Sequence, residues 1–321
     1  MKSPFVSLLA SALQRFLEFN RLRGYRYNRA EFTLRSFDRF VFARAKQDRS
    51  WRLEEVILAW LGSRPARLAV SVSQDMSVIR KFWFYVRRLH PGRCRREIRW
   101  PKLPTASTFV PQVLTMAHIR TLLRLASELE RPQFRRSVYR TLILVLYCTG
   151  LRFGEALRLR LADVDLRRGV IFVDEFKGRA RWVPFHPSLR PELDRYLRDR
   201  REFSGSDPRR DDPFFLATDG RGLSTKAAGY TLCRMFRMAE LKPPTGRVGP
   251  RPYDLRHTFA VHRLTRWYRE RIDLHARLPW LWAYMGHVDL LGTETYLTAT
   301  PELLALAASR FRRRFATARR R

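Results

Sequence analysis

Cysteine is scarce in this 321-residue chain. Cys94, Cys148 and Cys233 stand far apart, and no C-x-x-C pair occurs. That pattern supports neither a disulfide framework nor a zinc ribbon, and it fits a reducing cytoplasm. Long apolar runs are missing too. The densest, at 142–148, is far below the length needed to span a membrane. The apolar run at 6–13 is short and is followed by Arg15 and Glu18 at helical rhythm, against a signal peptide. The sequence holds no internal repeat, no low-complexity tract and no metal-ligand motif. Acidic residues are few: 30 Asp and Glu against 64 Lys and Arg, a net charge of +34. Residues 1–100 hold 22 of the basic and 8 of the acidic residues, so the excess belongs to both halves of the chain. A compact chain this basic repels itself unless a polyanion neutralises it, and nucleic acid is the expected partner.

What is present is helical rhythm. Phe5, Leu8, Leu9, Ala12, Leu13, Phe16 and Leu17 predict a helix over 4–20, broken by Gly24. Further helices are expected over 29–46, over 51–61 with Ser50 as N-cap, and over 71–89 before Pro91-Gly92. These make a four-helix unit, 1–90, without a catalytic cluster. Its stretch 80–88 interleaves aromatic with basic residues. The aromatics read as core, and Arg80, Lys81, Arg87 and Arg88 as candidates for DNA phosphates. Residues 91–114, with Pro91, Pro101, Pro104 and Pro111, read as a basic linker. In the second domain, 115–321, helices are expected over 115–126, 134–148, 188–201 and 224–240. Another begins near Asp254, and others cover 278–285, 291–297 and 301–314. Lys226, in the 224–240 helix, is a further candidate for DNA contact. Strands are expected at 170–173 and 182–185, joined by a turn carrying Lys177, with 213–217 strand-like. Pro184 suggests an edge strand. The fold class is therefore mainly α with a small antiparallel β-sheet, ending in a basic tail, Arg312 to Arg314 and Arg319 to Arg321.

Four groups of residues then fall into an order. Thr149-Gly150-Leu151-Arg152 is followed by Glu155, and Lys177-Gly178 by Val183-Pro184. Leu255-Arg256-His257-Thr258-Phe259-Ala260 comes next, then Gly286-His287 with Tyr296 nine residues on. Together they resemble the tyrosine recombinase, or phage integrase, family, of its Xer-like kind. The resemblance covers the whole chain in outline: an N-terminal four-helix core-binding domain and a C-terminal, mostly helical catalytic domain. It implies a site-specific DNA recombinase that cuts and rejoins DNA through a 3′-phosphotyrosine intermediate. By the same resemblance four protomers, or a hetero-assembly with related recombinases, work on double-stranded DNA carrying specific recombination sites. Such a protein belongs in the cytoplasm with the nucleoid.

The chemistry explains why such residues belong together. Exchanging one phosphodiester for another is close to energy-neutral, so no cofactor is expected. The transition state gathers negative charge on the non-bridging oxygens, where Arg152 and Arg256 offer permanently charged, bidentate donors. Tyr296 is the expected nucleophile. The leaving 5′-hydroxyl needs a proton, which Lys177 can give, with Arg179 and Arg181 as nearby rivals. His287 can hydrogen-bond a non-bridging oxygen, and Glu155 supports the site. His257, next to Arg256, reads as a structural hydrogen-bonding residue. One departure stands out: the family usually has histidine three residues before the second arginine, and here that residue is Tyr253. With a pKa of about 10, a phenol is a poor general base near neutrality, though it can donate to phosphate. Water or His257 are the alternatives for that role. Two other readings stay open at this point: a type IB topoisomerase using the same phosphate chemistry, and a DNA-binding accessory protein impaired in catalysis.

Overall fold

The computed structural model describes residues 4–25, 27–45, 52–63, 67–90, 97–103, 112–130, 132–174, 180–246 and 248–286. The chain divides into two compact units, Met1–Phe109 and Val110–Arg321. The described residues are mainly helical with one small antiparallel sheet.

The first unit holds α1 (Ala10–Leu22), α2 (Asn28–Ala45), α3 (Leu53–Gly62) and α4 (Ala69–Leu89). Each contributes an apolar stripe at 3.6-residue spacing: Leu13, Phe16 and Leu17; Leu34, Phe37 and Val41; Val56, Ile57 and Trp60; Ile79, Phe82 and Val86. Phe16 and Phe37 both meet Phe82 edge to face. Two buried carboxylates are matched: Asp38 accepts the Val6 and Ser7 N–H groups, and Asp75 accepts the Thr33 hydroxyl. Helix α3 begins at Leu53, with Arg52 rather than Ser50 at the cap position; Ser50 lies outside the described residues. The aromatic stripe of α4 is split. Phe82 and Trp83 are buried, whereas Phe84 is exposed beneath the Arg80 guanidinium, so core packing accounts for only part of it.

The second unit is built around α6 (Gln133–Thr149), which packs against α5 (Met116–Ser127), α8 (Arg190–Ser204) and α10 (Asp254–Arg269). Val138, Leu142, Ile143, Val145 and Leu146 are all buried, because neighbours cover α6 nearly all round. Helix α7 (Phe153–Ala156) follows α6 directly. After α8 come α9 (Thr225–Met238), α10 and α11 (Leu274–Met285). The sheet runs β1 (Val164–Asp165), β2 (Val170–Val173), β3 (Arg181–Pro184), antiparallel in that order, with Ile171 opposite Val183. Pro184 therefore sits on an edge strand.

Four elements differ from expectation. Helix α1, expected over 4–20, starts at Ala10. The stretch 213–217 forms only isolated bridges, Arg160 to Pro213 and Leu216 to Gly222. Phe214, Phe215 and Leu216 are all buried in succession, so the segment fills the core rather than showing two faces. The third strand is β1, only two residues long and too short to leave a period. Helix α11 starts at Leu274, not 278: Asp273 caps it by accepting the N–H of His275 and Ala276, and Pro279 lies inside the helix.

Candidate active site

The site begins where α6 stops. Gly150 caps that helix in the left-handed conformation (φ 63°), and its N–H returns to the Leu146 carbonyl. The chain turns there and presents Arg152 at the start of α7. Glu155, one turn on, folds back: its carboxylate accepts the Arg152 N–H at 2.9 Å and the Arg152 Nη1 at 2.7 Å. Strand β3 brings a second guanidinium to the same carboxylate. Arg181 Nη2 and Nη1 lie 2.9 and 3.3 Å from the two Glu155 oxygens. Glu155 is buried, which by itself raises its pKa. The Arg181 and Arg152 contacts outweigh burial and hold it down at about 2. Glu155 is thus a buried anion shared by two cations.

Helix α10 supplies the third guanidinium. Arg256 is 1 % exposed. Its Nη1 donates to the Gly150 carbonyl and its Nη2 to the Met285 carbonyl, both at 2.7 Å. Arg152 Nη2 donates to the next carbonyl, Gly286, at 2.7 Å. Arg181 Nε donates to the preceding one, Tyr284, at 2.8 Å. Three successive carbonyls at the end of α11 thus each receive one arginine, from three different elements. These are the acceptors that a helix C-terminus leaves open, at its negative end, so the arrangement serves both partners. Gly286 closes the helix at φ 65°, and a Cβ there would stand 2.6 Å from Arg181 Nη1.

The surroundings fix α10. Thr258 donates to the Asp254 carbonyl and accepts the Leu114 N–H. The Phe259 ring stacks on Tyr284, whose hydroxyl donates to the Pro184 carbonyl. His257 is buried; burial first, then the charges of Arg256 and Arg251, push its pKa down to about 4. It is therefore a neutral imidazole at pH 7. Tyr253 stands at the start of α10 with its ring edge-on to His257, and is 37 % exposed.

The structure thus brings together Arg152, Glu155 and Arg256, with His257 and Tyr253 alongside. Lys177, His287 and Tyr296 lie outside the described residues, as do the helices expected at 291–297 and 301–314 and the basic tail. Arg80, Lys81 and Arg88 are exposed on α4, and Arg87 stacks over Trp83 at 5.0 Å. Lys81 and Arg88 line a cavity of about 720 Å³ with Phe16, Phe19, Tyr25 and Phe84. Lys226 is exposed in the first turn of α9. Among the described residues no three His, Cys, Asp or Glu gather as metal ligands. Nor is any helix among them long and apolar enough to cross a membrane.

Arg181 has a place in the site that sequence reasoning offered only as a rival to Lys177. A signal was there. In a strand, Arg181 shares a face with Val183, which is fully buried, while Trp182 points outward. An arginine on an inward face needs a buried acceptor, and Glu155 is that acceptor.

Comparison with known proteins gives the chain its relatives. The model of the phage integrase family matches residues 112–302. Two curated relatives from Sinorhizobium fredii are named "Putative integrase/recombinase" y4rE and y4rB. The first is 31 % identical over 96 % of this chain and 97 % of its own length. The second is 32 % identical over 97 % and 99 %. Tyrosine recombinase XerD of Ralstonia nicotianae is 29 % identical over 74 % of this chain and 71 % of its own. Among solved structures, the XerH site-specific recombinase bound to palindromic difH substrate superimposes with a TM-score of 0.66 at 20 % identity. It covers 88 % of this chain and 78 % of that one. The Tn1549 transposon integrase with circular intermediate DNA gives a TM-score of 0.64 at 20 % identity, over 94 % and 99 %. At such identities the structural likeness speaks to the fold.

Proposed function

This chain belongs to the phage integrase family, and from that premise we propose that it is a site-specific tyrosine recombinase whose Arg152 and Arg256 hold one DNA phosphate. The observation that carries the assignment is their convergence. The two guanidiniums, far apart in sequence, donate to the adjacent carbonyls of Met285 and Gly286, immediately before His287. A phosphate oxygen is a stronger acceptor than a carbonyl, since its bond is charge-assisted. Two planar cations aimed at one spot suit a pentacoordinate phosphorus, whose charge sits on its non-bridging oxygens.

In this reading the Tyr296 hydroxyl gives up its proton to water, its oxygen attacks the phosphorus and the bond to the 5′-oxygen breaks. The enzyme is left with a 3′-phosphotyrosine, and Lys177 gives a proton to the departing 5′-oxygen, which leaves as a hydroxyl. His287 donates to a non-bridging oxygen. A free 5′-hydroxyl from the partner strand reverses the step and releases the tyrosine. Each cut exchanges one phosphodiester for another, so the free energy of the bond is kept. Glu155 holds Arg152 in place. Tyr253, open to solvent and beside a neutral His257, donates to the phosphate rather than taking a proton.

Residues 1–90 grip the duplex as a core-binding domain, through Arg80, Lys81, Arg87 and Arg88. It is joined by a linker, 91–114, to a catalytic domain, 115–321, whose Lys226 adds a contact. With phosphate contacts from both halves, affinity falls steeply with salt as counterions are released. Four protomers on two specific sites exchange strands in pairs, or this chain assembles with related recombinases, and the segment 301–314, expected from its sequence to be helical, docks on a neighbour. The protein works in the cytoplasm, at the nucleoid.

The test is covalent trapping on a nicked suicide duplex carrying the element's own ends, with wild type beside Tyr296→Phe. The expected result is a denaturation-resistant adduct with the wild type alone. An adduct that survives in the variant overturns the nucleophile. No adduct from either protein, despite proven site binding, overturns catalysis by this chain on its own.

A further inference from the structure

We infer that Arg181 is a positioning residue of the strand-transfer site: it fixes Glu155, and so the Arg152 guanidinium, against the end of α11. The inference rests on the phosphate-binding role given above to Arg152.

Three features set Arg181 apart from Arg152; Arg256 is as enclosed, at 1 % exposed, and is held by the Gly150 and Met285 carbonyls. The Arg181 nitrogens are committed to the protein: Nη1 and Nη2 to the two Glu155 oxygens, and Nε to the Tyr284 carbonyl. Its side chain is 9 % exposed, against 21 % for Arg152. It is also the guanidinium that a side chain at position 286 would strike. Held on two sides, it does not reach for a ligand. It ties β3 to α7 and to α11 at one point.

What it positions follows from the shared carboxylate. Glu155 Oε1 accepts Nη1 of both Arg152 and Arg181; Oε2 accepts the Arg152 N–H and Arg181 Nη2. Arg181 thus sets the plane of the carboxylate, and the carboxylate sets the plane of Arg152. Among the described residues the charged groups that face Glu155 are these two arginines, one from the start of α7 and one from β3. Remove the β3 cation and a buried carboxylate keeps a single partner. Its affinity for a proton then rises, and once protonated it no longer holds Arg152 as an anion does. A lysine at 181 keeps the charge but cannot make a two-pronged bond and an Nε bond together.

The experiment uses the full chain with Arg181→Lys, Arg181→Gln, Glu155→Gln and the Arg181→Gln/Glu155→Gln double variant. Melting temperature and affinity for site DNA are measured first. Single-turnover adduct formation on the suicide duplex is then followed from pH 8 to pH 5. Both Arg181 variants are expected to bind site DNA within about 3-fold of wild type while forming adduct about 10²-fold more slowly, the scale of a misplaced catalytic group. Relative to wild type, Arg181→Gln loses further rate toward pH 5, and the double variant lacks that extra loss. Wild-type adduct rates in both Arg181 variants overturn the inference. So does a loss that follows melting temperature alone, with the pH profile unchanged, which makes Arg181 an ordinary structural ion pair. A wild type that forms no Tyr296-dependent adduct overturns the recombinase reading itself, and the inference falls with it.

Discussion

The ring of Phe259 lies where a side chain on Gly150 would begin: a Cβ added to the glycine would stand 2.3 Å from Phe259 Cδ1. This contact joins the turn before Arg152 to the helix that carries Arg256. Gly150→Ala must therefore adopt a left-handed backbone and push the ring aside, and we expect it to cost about 2–4 kcal/mol. Gly205 is a control, left-handed as well (φ 61°) but with nothing within 4 Å of the place a methyl group would take. Gly205→Ala should cost only the conformational part, about 1–2 kcal/mol. Urea-unfolding midpoints compare the two, and equal losses would show that the ring yields freely.

Arg256→Lys separates charge from geometry. One ammonium cannot reach both the Gly150 and the Met285 carbonyls as the guanidinium does. Adduct formation should fall by about 10²–10³-fold, the usual cost of one preorganised donor. Binding of site DNA should change little, since many other cations contribute to it. A lysine variant that cleaves within a few-fold of wild type removes the bidentate role.

His257 makes acid weaken the fold. Its pKa drops from 6.5 to about 4 on folding, so the unfolded chain takes up the proton first. Its stabilisation is whole above pH 6.5 and is lost as pH falls toward 4, about 2 kcal/mol of it by pH 5. Urea melts of wild type and His257→Gln at pH 7.5 and 5 check this: their difference should shrink at pH 5. A difference that grew on acidification would mean a histidine charged within the fold.

Tyr253→His restores the residue usual in the family at a position 37 % exposed, where an imidazole can exchange protons with water. Adduct formation near neutral pH should be retained or rise. Complete loss would count against placing Tyr253 in line with that histidine.

Much of the site was legible because its residues are punctuated by local signals. Gly150 marks the end of an apolar helix, Glu155 stands one turn after Arg152, and Arg256 opens a helix after Pro252-Tyr253. The helical cores followed from spacing, since Leu13, Phe16 and Leu17 or Val56, Ile57 and Trp60 can bury together on one face only. Other features had no local sign. Main-chain acceptors are the same for every residue, so nothing in Tyr284-Met285-Gly286 announced that arginines would meet there. Strand β1 is too short for a period, and Phe214-Phe215-Leu216 read as a strand because continuous burial resembles one. Helix α11 starts before the expected 278 because Asp273 caps it, with Pro279 carried inside the helix.

The arginine anchors on α11 have a consequence for sequence drift. Their acceptors are backbone carbonyls, which survive any substitution that leaves the helix intact. The hydrogen bonds themselves do not depend on the identity of residues 284 and 285, which are constrained instead by the ring and hydroxyl of Tyr284 and by the full burial of the Met285 side chain. Position 286 has less freedom, because its left-handed turn favours glycine and any side chain there would push the Arg181 guanidinium aside. The three acceptors thus need no particular side chain, whereas the backbone turn that follows them does. A mutational scan across 284–286 should find its sharpest penalty at the smallest side chain of the three.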